Sequence, residues 1–469
     1  MTSPAPDNNV RRAGILLHPT SLPSGMLDRD VERWLQLIAD SGFSVWQVLP
    51  LGEPQVGLSP YQCSSAFAMN PALLPELPPI DDLDTAFTEF CRDHEFWLDD
   101  YALFKILKVH FNGASWFDWP DAWKYRDMQA LQQTRDQYAR AITVLKWQQY
   151  QIHQRWQDIR MKAADKGILL FGDMPIFVGH DSTDVWAHPE WFLLNDDGSM
   201  NVVTGVPPDY FSETGQRWGN PHYNCDAMQE SGFQWWHSRI DHYLDQFDLL
   251  RIDHFRGLEA VWMIDAACET AVDGHWEKVP GDALLSSFID GLEHLPFVAE
   301  DLGIITAEVT ALRIKYQLPG MSILQFGFDE FEDNPHKPHN IVKDNITYTG
   351  THDNDTTRGW FDSLEDHVKN QVLQSLGLLN EHCHSWHDLP DAGRVVVDAL
   401  VTQAMNSRAE LCMLPMQDWL QLGSEARMNT PGTVSGNWNW QFQWEQLNPE
   451  HIDKMRLIIE KSQRLVNEQ

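Results

Sequence analysis

At 469 residues the chain exceeds what one simple core usually supports, so a large fold carrying insertions is expected. Its 43% hydrophobic content is ordinary for a folded protein, and it holds no apolar run of about 18 residues that could serve as a membrane span. Acidic residues outnumber basic ones 68 to 34, and the resulting charge of −34 repels a phosphate backbone, which argues against nucleic acid and for a neutral substrate.

Residues 1–12 read as a polar tail carrying Pro4 and Pro6, without the basic-then-apolar layout of a secretory signal. A cytoplasmic location is therefore expected. Eight short apolar runs follow. They are Gly14-Ile15-Leu16-Leu17-His18, Val45-Trp46-Gln47-Val48-Leu49-Pro50, Ile168-Leu169-Leu170-Phe171-Gly172-Asp173, Leu249-Leu250-Arg251-Ile252-Asp253 and Phe297-Val298-Ala299-Glu300-Asp301, then residues 321–328, 346–353 and 411–418. Runs of this length without alternation read as strands buried on both faces, as in a parallel sheet. Eight of them, with room for a helix between, predict an α/β fold: a (β/α)8 TIM barrel over residues 13–469. Val31, Trp34, Leu35 and Ile38 share one helical face between the first two runs. An open doubly wound sheet is the alternative, but no GxGxxG opens a helix.

Two intervals exceed the dozen or so residues a crossover needs. Residues 51–167 contain helix-like segments at 85–110 and 137–166, and read as a helical subdomain inserted after strand two. Residues 178–247 read as a loop-rich subdomain inserted after strand three, with a turn at Asp196-Asp197-Gly198 and a Pro- and Gly-punctuated loop over 205–221. Such punctuation predicts an ordered loop covering a site. The six cysteines have neither CxxC nor metal-finger spacing, so reduced thiols are expected, with neither a disulfide framework nor a zinc site. Some of the 21 Trp belong to a core; others offer faces on which sugar rings stack.

In a barrel, the C-terminal strand ends converge on one face. Here they bring His18, Asp173, Asp253, Glu300 or Asp301, and His352-Asp353. Several carboxylates on one rim repel each other and lose hydration, a cost that function usually explains. Asp173 reads equally well as a cap for the following loop. Of Glu300 and Asp301, strand alternation sends only one into the site, and Glu300 is favoured. Arg251 and Asp253 face the same side, which suits either an oriented, ionised nucleophile or a buried structural ion pair. An ionised carboxylate beside a protonated one is the arrangement for glycosidic cleavage. It also occurs in metal-dependent phosphoryl enzymes, but no Gly-rich phosphate loop with its Lys is present.

Around these residues the sequence resembles a known family. The stretches Arg251-Ile252-Asp253-His254-Phe255-Arg256-Gly257, Ala299-Glu300-Asp301-Leu302-Gly303 and Gly350-Thr351-His352-Asp353-Asn354 resemble the 4-α-glucanotransferases of glycoside hydrolase family 77. So do His18-Pro19-Thr20-Ser21-Leu22-Pro23, Ser59-Pro60-Tyr61-Gln62, the loop 207–221 and Arg427-Met428-Asn429-Thr430-Pro431-Gly432-Thr433 with Asn437-Trp438. The likeness runs from about residue 18 to 440. It lacks the long N-terminal extension of some members, so the compact form is expected.

The resemblance implies a retaining barrel enzyme of the α-amylase superfamily. It assigns Asp253 as nucleophile, Glu300 as general acid/base and Asp353 as stabiliser of the distorted sugar. Arg251, His352 and Tyr61 are implied around the reacting ring, Asp209, Glu213 and Trp218 in the loop over the cleft, and Asn429 near the donor sites, with Asp329 toward an acceptor. The implied partners are an α-1,4-glucan donor and a glucose or maltooligosaccharide acceptor. No cofactor, metal, membrane or obligate protein partner is implied. A hydrolase using the same carboxylates and a catalytically silent glucan-binding protein are the competing readings.

Overall fold

The computed structural model describes residues 10–55, 57–80, 84–208, 212–289, 294–433 and 435–466. Eight strands form one parallel sheet: β1 (Arg12–Leu16), β2 (Val45–Gln47), β3 (Leu169–Met174), β4 (Leu249–Ile252), β5 (Phe297–Ala299), β6 (Gly320–Ile323), β7 (Asn345–Tyr348) and β8 (Leu411–Pro415). Each predicted apolar run supplies one of them. Their order around the sheet is β6-β7-β8-β1-β2-β3-β4-β5, so β1 pairs with β2 on one side and with β8 on the other. The sheet rolls into a TIM barrel whose seam lies between β5 and β6. There Ala299 N donates to Pro319 O at 2.9 Å, and Met321 N donates to the Asp301 carboxylate at 2.8 Å. A side chain thus takes a place that the backbone ladder holds elsewhere.

Alternation along the strands sorts their side chains. Val45, Phe171, Val298, Met321, Ile323, Ile346, Tyr348, Leu411 and Met413 form the core within the barrel. Gly14 leaves the space there that Met413 fills, since a Cβ at Gly14 would sit 2.2 Å from the Met413 sulfur. The opposite faces of the strands, with Leu170, Leu250, Ile252 and Leu414, join the larger core beneath the surrounding helices. Trp34, Trp46 and Trp156 pack in sequence there, with ring centroids 6.2 and 6.1 Å apart, so part of the tryptophan content is structural.

Between β2 and β3 lie the helices Thr85–Asp93, Glu95–His110, Met128–Gln137 and Ala139–Ala164. The interval after β3 holds more regular structure than its loop-like sequence suggested. Val202–Val206 and Gln216–Arg217 join Ala260–Asp265 and Gly274–Lys278, which follow β4, in an antiparallel sheet of four strands. The helix Gln234–Gln246 then packs back on the barrel. At the N-terminal face, the wholly buried Arg464 donates to the carbonyls of Arg12, Met405, Ser407, Ala409 and Glu410, tying residues after the last helix to both β1 and the start of β8. Among the described residues no helix is long and apolar enough to cross a membrane.

Candidate active site

The register of β3 against β4 sets Asp173 beside Arg251. Arg251 Nη1 donates to both Asp173 oxygens, at 2.7 and 2.8 Å, and lies 3.0 Å from Asp253 Oδ1. Asp173 is fully buried, whereas 27% of the Asp253 side chain remains open. The guanidinium therefore serves two carboxylates at once. It pairs with the buried Asp173 and holds Asp253 at the mouth, so the fully buried ion pair is made with Asp173 and not with Asp253. Asp173 is no loop cap: its remaining capacity accepts a hydrogen bond from the Tyr61 hydroxyl at 2.8 Å.

Glu300 follows β5 directly. Its Oε2 accepts from His254 N at 2.8 Å and its Oε1 from Leu302 N at 3.1 Å. His254, next to Asp253, is left-handed, with φ 49°. Asp301 points the other way, into the β5–β6 seam, where Arg313 Nε stands 3.1 Å from it. Strand alternation thus separates two adjacent carboxylates into different jobs.

Burial raises both rim carboxyls. Asp253 is pushed up to about 7, with Arg251 opposing the rise. Glu300 is pushed up to about 8, with Arg251 and the His254 amide opposing and the Asp253 charge adding. Arg251, 3.0 Å from Asp253, favours the ionised form there, and a charge on Asp253 in turn favours the protonated form of Glu300. One ionised and one protonated carboxyl can share the cleft near neutral pH.

The far wall is built from loops. Asp353, 46% exposed at its side chain, accepts from Asn429 Nδ2 at 2.6 Å, and its carbonyl accepts from Arg427 Nη2 at 2.7 Å. His352 Nε2 lies 2.9 Å from the Tyr61 hydroxyl and 3.5 Å from Asp353. The single phenol proton goes to Asp173, so in the contact with His352 it is Nε2–H that donates to the Tyr61 oxygen. Burial lowers the His352 pKa, which keeps the ring neutral in this role. Tyr61 stacks on His352, with centroids 5.3 Å apart at 17°, and Trp438 closes over both at 6.1 and 5.9 Å.

Tyr61, Arg251, Asp253, Glu300, His352, Asp353 and Asn429 thus belong to one connected cluster. Trp218 joins from the side, its ring edge-on to His254 at 4.9 Å and 89°. Glu213 is exposed in the turn before Gln216–Arg217. Asp209 lies outside the described residues, as do Tyr210 and Phe211 beside it. Asp329 sits in a loop held by Asn334 at 2.8 Å and Lys337 at 3.7 Å. Sequence reasoning passed over Asp173 as a partner of Tyr61, Arg427 and Trp438 as wall residues, and His254. The Arg427 to Trp438 motif carried the signal for those two wall residues.

Comparison with known proteins fits this geometry. The family model described as 4-alpha-glucanotransferase matches residues 17–77 and 79–447. The 4-alpha-glucanotransferase of Thermus thermophilus is 41% identical, over 97% of this chain and 99% of its own. That of Synechocystis sp. is 40% identical, over 93% of this chain and 95% of its own. Among solved structures, the amylomaltase from Streptococcus agalactiae in complex with acarbose superposes with a TM-score of 0.90 at 31% identity, covering 97% of this chain and 100% of that one.

Proposed function

The chain belongs to the 4-α-glucanotransferases of glycoside hydrolase family 77, and on that premise we propose that Asp253 is its nucleophile, Glu300 its acid/base and Asp353 the stabiliser of the distorted sugar. The reaction moves a segment of α-1,4-glucan, such as a maltooligosaccharide or a starch or glycogen fragment, to the 4-hydroxyl of glucose or another glucan. Glu300 protonates the glycosidic oxygen while Asp253 attacks the anomeric carbon. The C–O bond breaks, the reducing-end piece leaves with the proton, and a β-glycosyl ester forms on Asp253. An acceptor 4-hydroxyl then gives its proton to Glu300 and attacks the same carbon, displacing Asp253 and re-forming an α-1,4 bond. Asp353 moves no proton; its charge favours the electron-poor ring. Tyr61, His352 and Trp438 form an aromatic wall for that ring, Glu213 and Trp218 belong to the loop over the cleft, and Asp209, outside the described residues, is assigned to substrate binding by the family resemblance alone. No step calls for a cofactor or a metal.

The observation that carries this reading is Arg251, 3.0 Å from Asp253 on the rim that Glu300 shares. It lets one carboxyl ionise while its neighbour keeps a proton. The proposal also keeps 51–167 and 178–247 as subdomains inserted in the barrel, and places the enzyme in the cytoplasm with its six free cysteines. Incubation with maltotriose tests transfer directly. Glucose and a ladder of longer maltooligosaccharides are expected, with few new reducing ends. Reducing ends rising in step with maltotriose consumed, and no product longer than the substrate, would make the protein a hydrolase.

A further inference from the structure

His254 stands where three parts of the site meet. Through the chain it adjoins Asp253. Its amide N–H reaches Glu300 Oε2 at 2.8 Å, and its ring lies edge-on to Trp218 at 4.9 Å, with Phe177 at 6.5 Å on another side. Its backbone is left-handed, φ 49° and ψ 53°, a conformation that costs an ordinary side chain roughly 1–2 kcal/mol. Around it, Phe255 N donates to Glu300 O at 3.1 Å and Gly257 N to His254 O at 2.8 Å, so the turn is fixed on both sides of this residue.

We propose that His254 is a positioning residue with two faces: its left-handed backbone aims an amide at the acid/base, and its ring ties that carboxyl to the loop over the cleft. This rests on the reading of Glu300 as acid/base. The left-handed turn is what points the 254 amide at Glu300, immediately after the chain has placed Asp253. The spacing of the two carboxyls is thereby set in the backbone. The ring acts by packing. Burial, with the nearby Arg256 charge, lowers its pKa to about 4, so it stays neutral where the enzyme works. Trp218 leans on this ring, so its packing supports the turn whose amide holds Glu300.

Two substitutions separate the faces. Asn adopts the left-handed backbone more readily than Ala, while both lack the ring. Purified His254→Asn and His254→Ala proteins are compared for melting temperature, maltotriose turnover across about pH 5 to 9, and product ladders. Turnover of His254→Ala should fall about tenfold below that of His254→Asn. Its alkaline limb should lie higher, because a lost N–H donor no longer favours the ionised Glu300, which also feels the charges of Arg251, Asp253 and Asp301. Hydrolysis should rise several-fold in both as Trp218 loses its support. Equal turnover and superimposable pH profiles in the two folded variants overturn the amide role, and an unchanged hydrolytic share in both overturns the ring's role. Glu300→Gln is run beside them. Ordinary turnover there overturns the acid/base reading and this proposal with it, whereas equal Asn and Ala variants beside an inactive Glu300→Gln overturn this proposal alone.

Discussion

Two carboxylates stand beyond barrel strands on different parts of the rim, one buried and one partly open, and their surroundings differ in kind. Asp418, after β8, is 1% exposed and accepts from the Thr349 hydroxyl at 2.5 Å, the Thr357 amide at 2.7 Å and the Thr357 hydroxyl at 2.7 Å. Its neighbours are neutral donors that fill both oxygens. Asp253, after β4, has one cation on one oxygen and an open face toward the cleft. Burial raises the pKa of both. Desolvation alone therefore does not mark a reactive carboxyl. What separates the two, among the described residues, is acceptor capacity left open toward the cleft, together with a second titrating carboxyl on the same rim. A saturated carboxylate holds the fold together; an unsaturated one can attack.

Substitution at each site should break the molecule differently. Asp253→Asn is expected to lower turnover on the order of 10⁴-fold, as removal of a nucleophile does, with an unchanged fold. Circular dichroism and a maltotriose assay check this; near-normal transfer by a well-folded variant would reject the nucleophile role, and a melting point several degrees lower would make Arg251–Asp253 chiefly structural. Next in size is the pH response. The reactive enzyme holds Asp253 ionised and Glu300 protonated. Its rate should fall as pH drops through about 7, where Asp253 takes up a proton, and as pH rises through about 8, where Glu300 loses one. The sharp result would be a bell far above the ordinary carboxyl range; limbs at pH 4 to 5 would mean that burial of the pair is relieved in solution.

Asn429→Ala frees Asp353 of its 2.6 Å donor. A loss of roughly tenfold in turnover is expected, with a smaller effect on KM, because the Asp353 charge matters most at the transition state. A pure KM effect would assign Asn429 to ground-state binding. Smallest for activity is Asp418→Asn. It should leave turnover within about twofold yet cost roughly 1–3 kcal/mol of stability, since Asn cannot accept all three donors. A melt and an activity assay on the same sample decide; lost activity with unchanged stability would erase the contrast between the two carboxylates.

The strands were legible because each is buried on both faces, which writes an apolar run into the chain whatever else surrounds it. The rim carboxylates were legible for a related reason: Asp253 and Glu300 directly follow their strands, and Asp353 comes five residues after Tyr348. The antiparallel sheet was not. Val202–Val206 pairs with Ala260–Asp265 across a whole barrel strand, and the outer strand Gly274–Lys278 is mostly exposed, so neither pattern stands out locally. Trp438 was quoted within a motif but given no place in the site, because its place depends on a left-handed backbone, φ 65°, that folds it back over Tyr61 and His352. His254 was quoted within a motif, but its role lies in its backbone, which side-chain chemistry does not announce.

The pairing of β1 with β8 has a consequence for the chain as it is made. Arg12 of β1 lies opposite Leu411 of β8, and Arg464 seals the same end. A ribosome adding about 5–20 residues per second needs roughly 20–80 seconds to pass from one strand to its partner. For that interval β1 carries an open edge, the kind of surface that recruits strands from neighbouring chains. The hazard in making this barrel is therefore timed by translation, and it ends only when the last of these residues clears the exit tunnel.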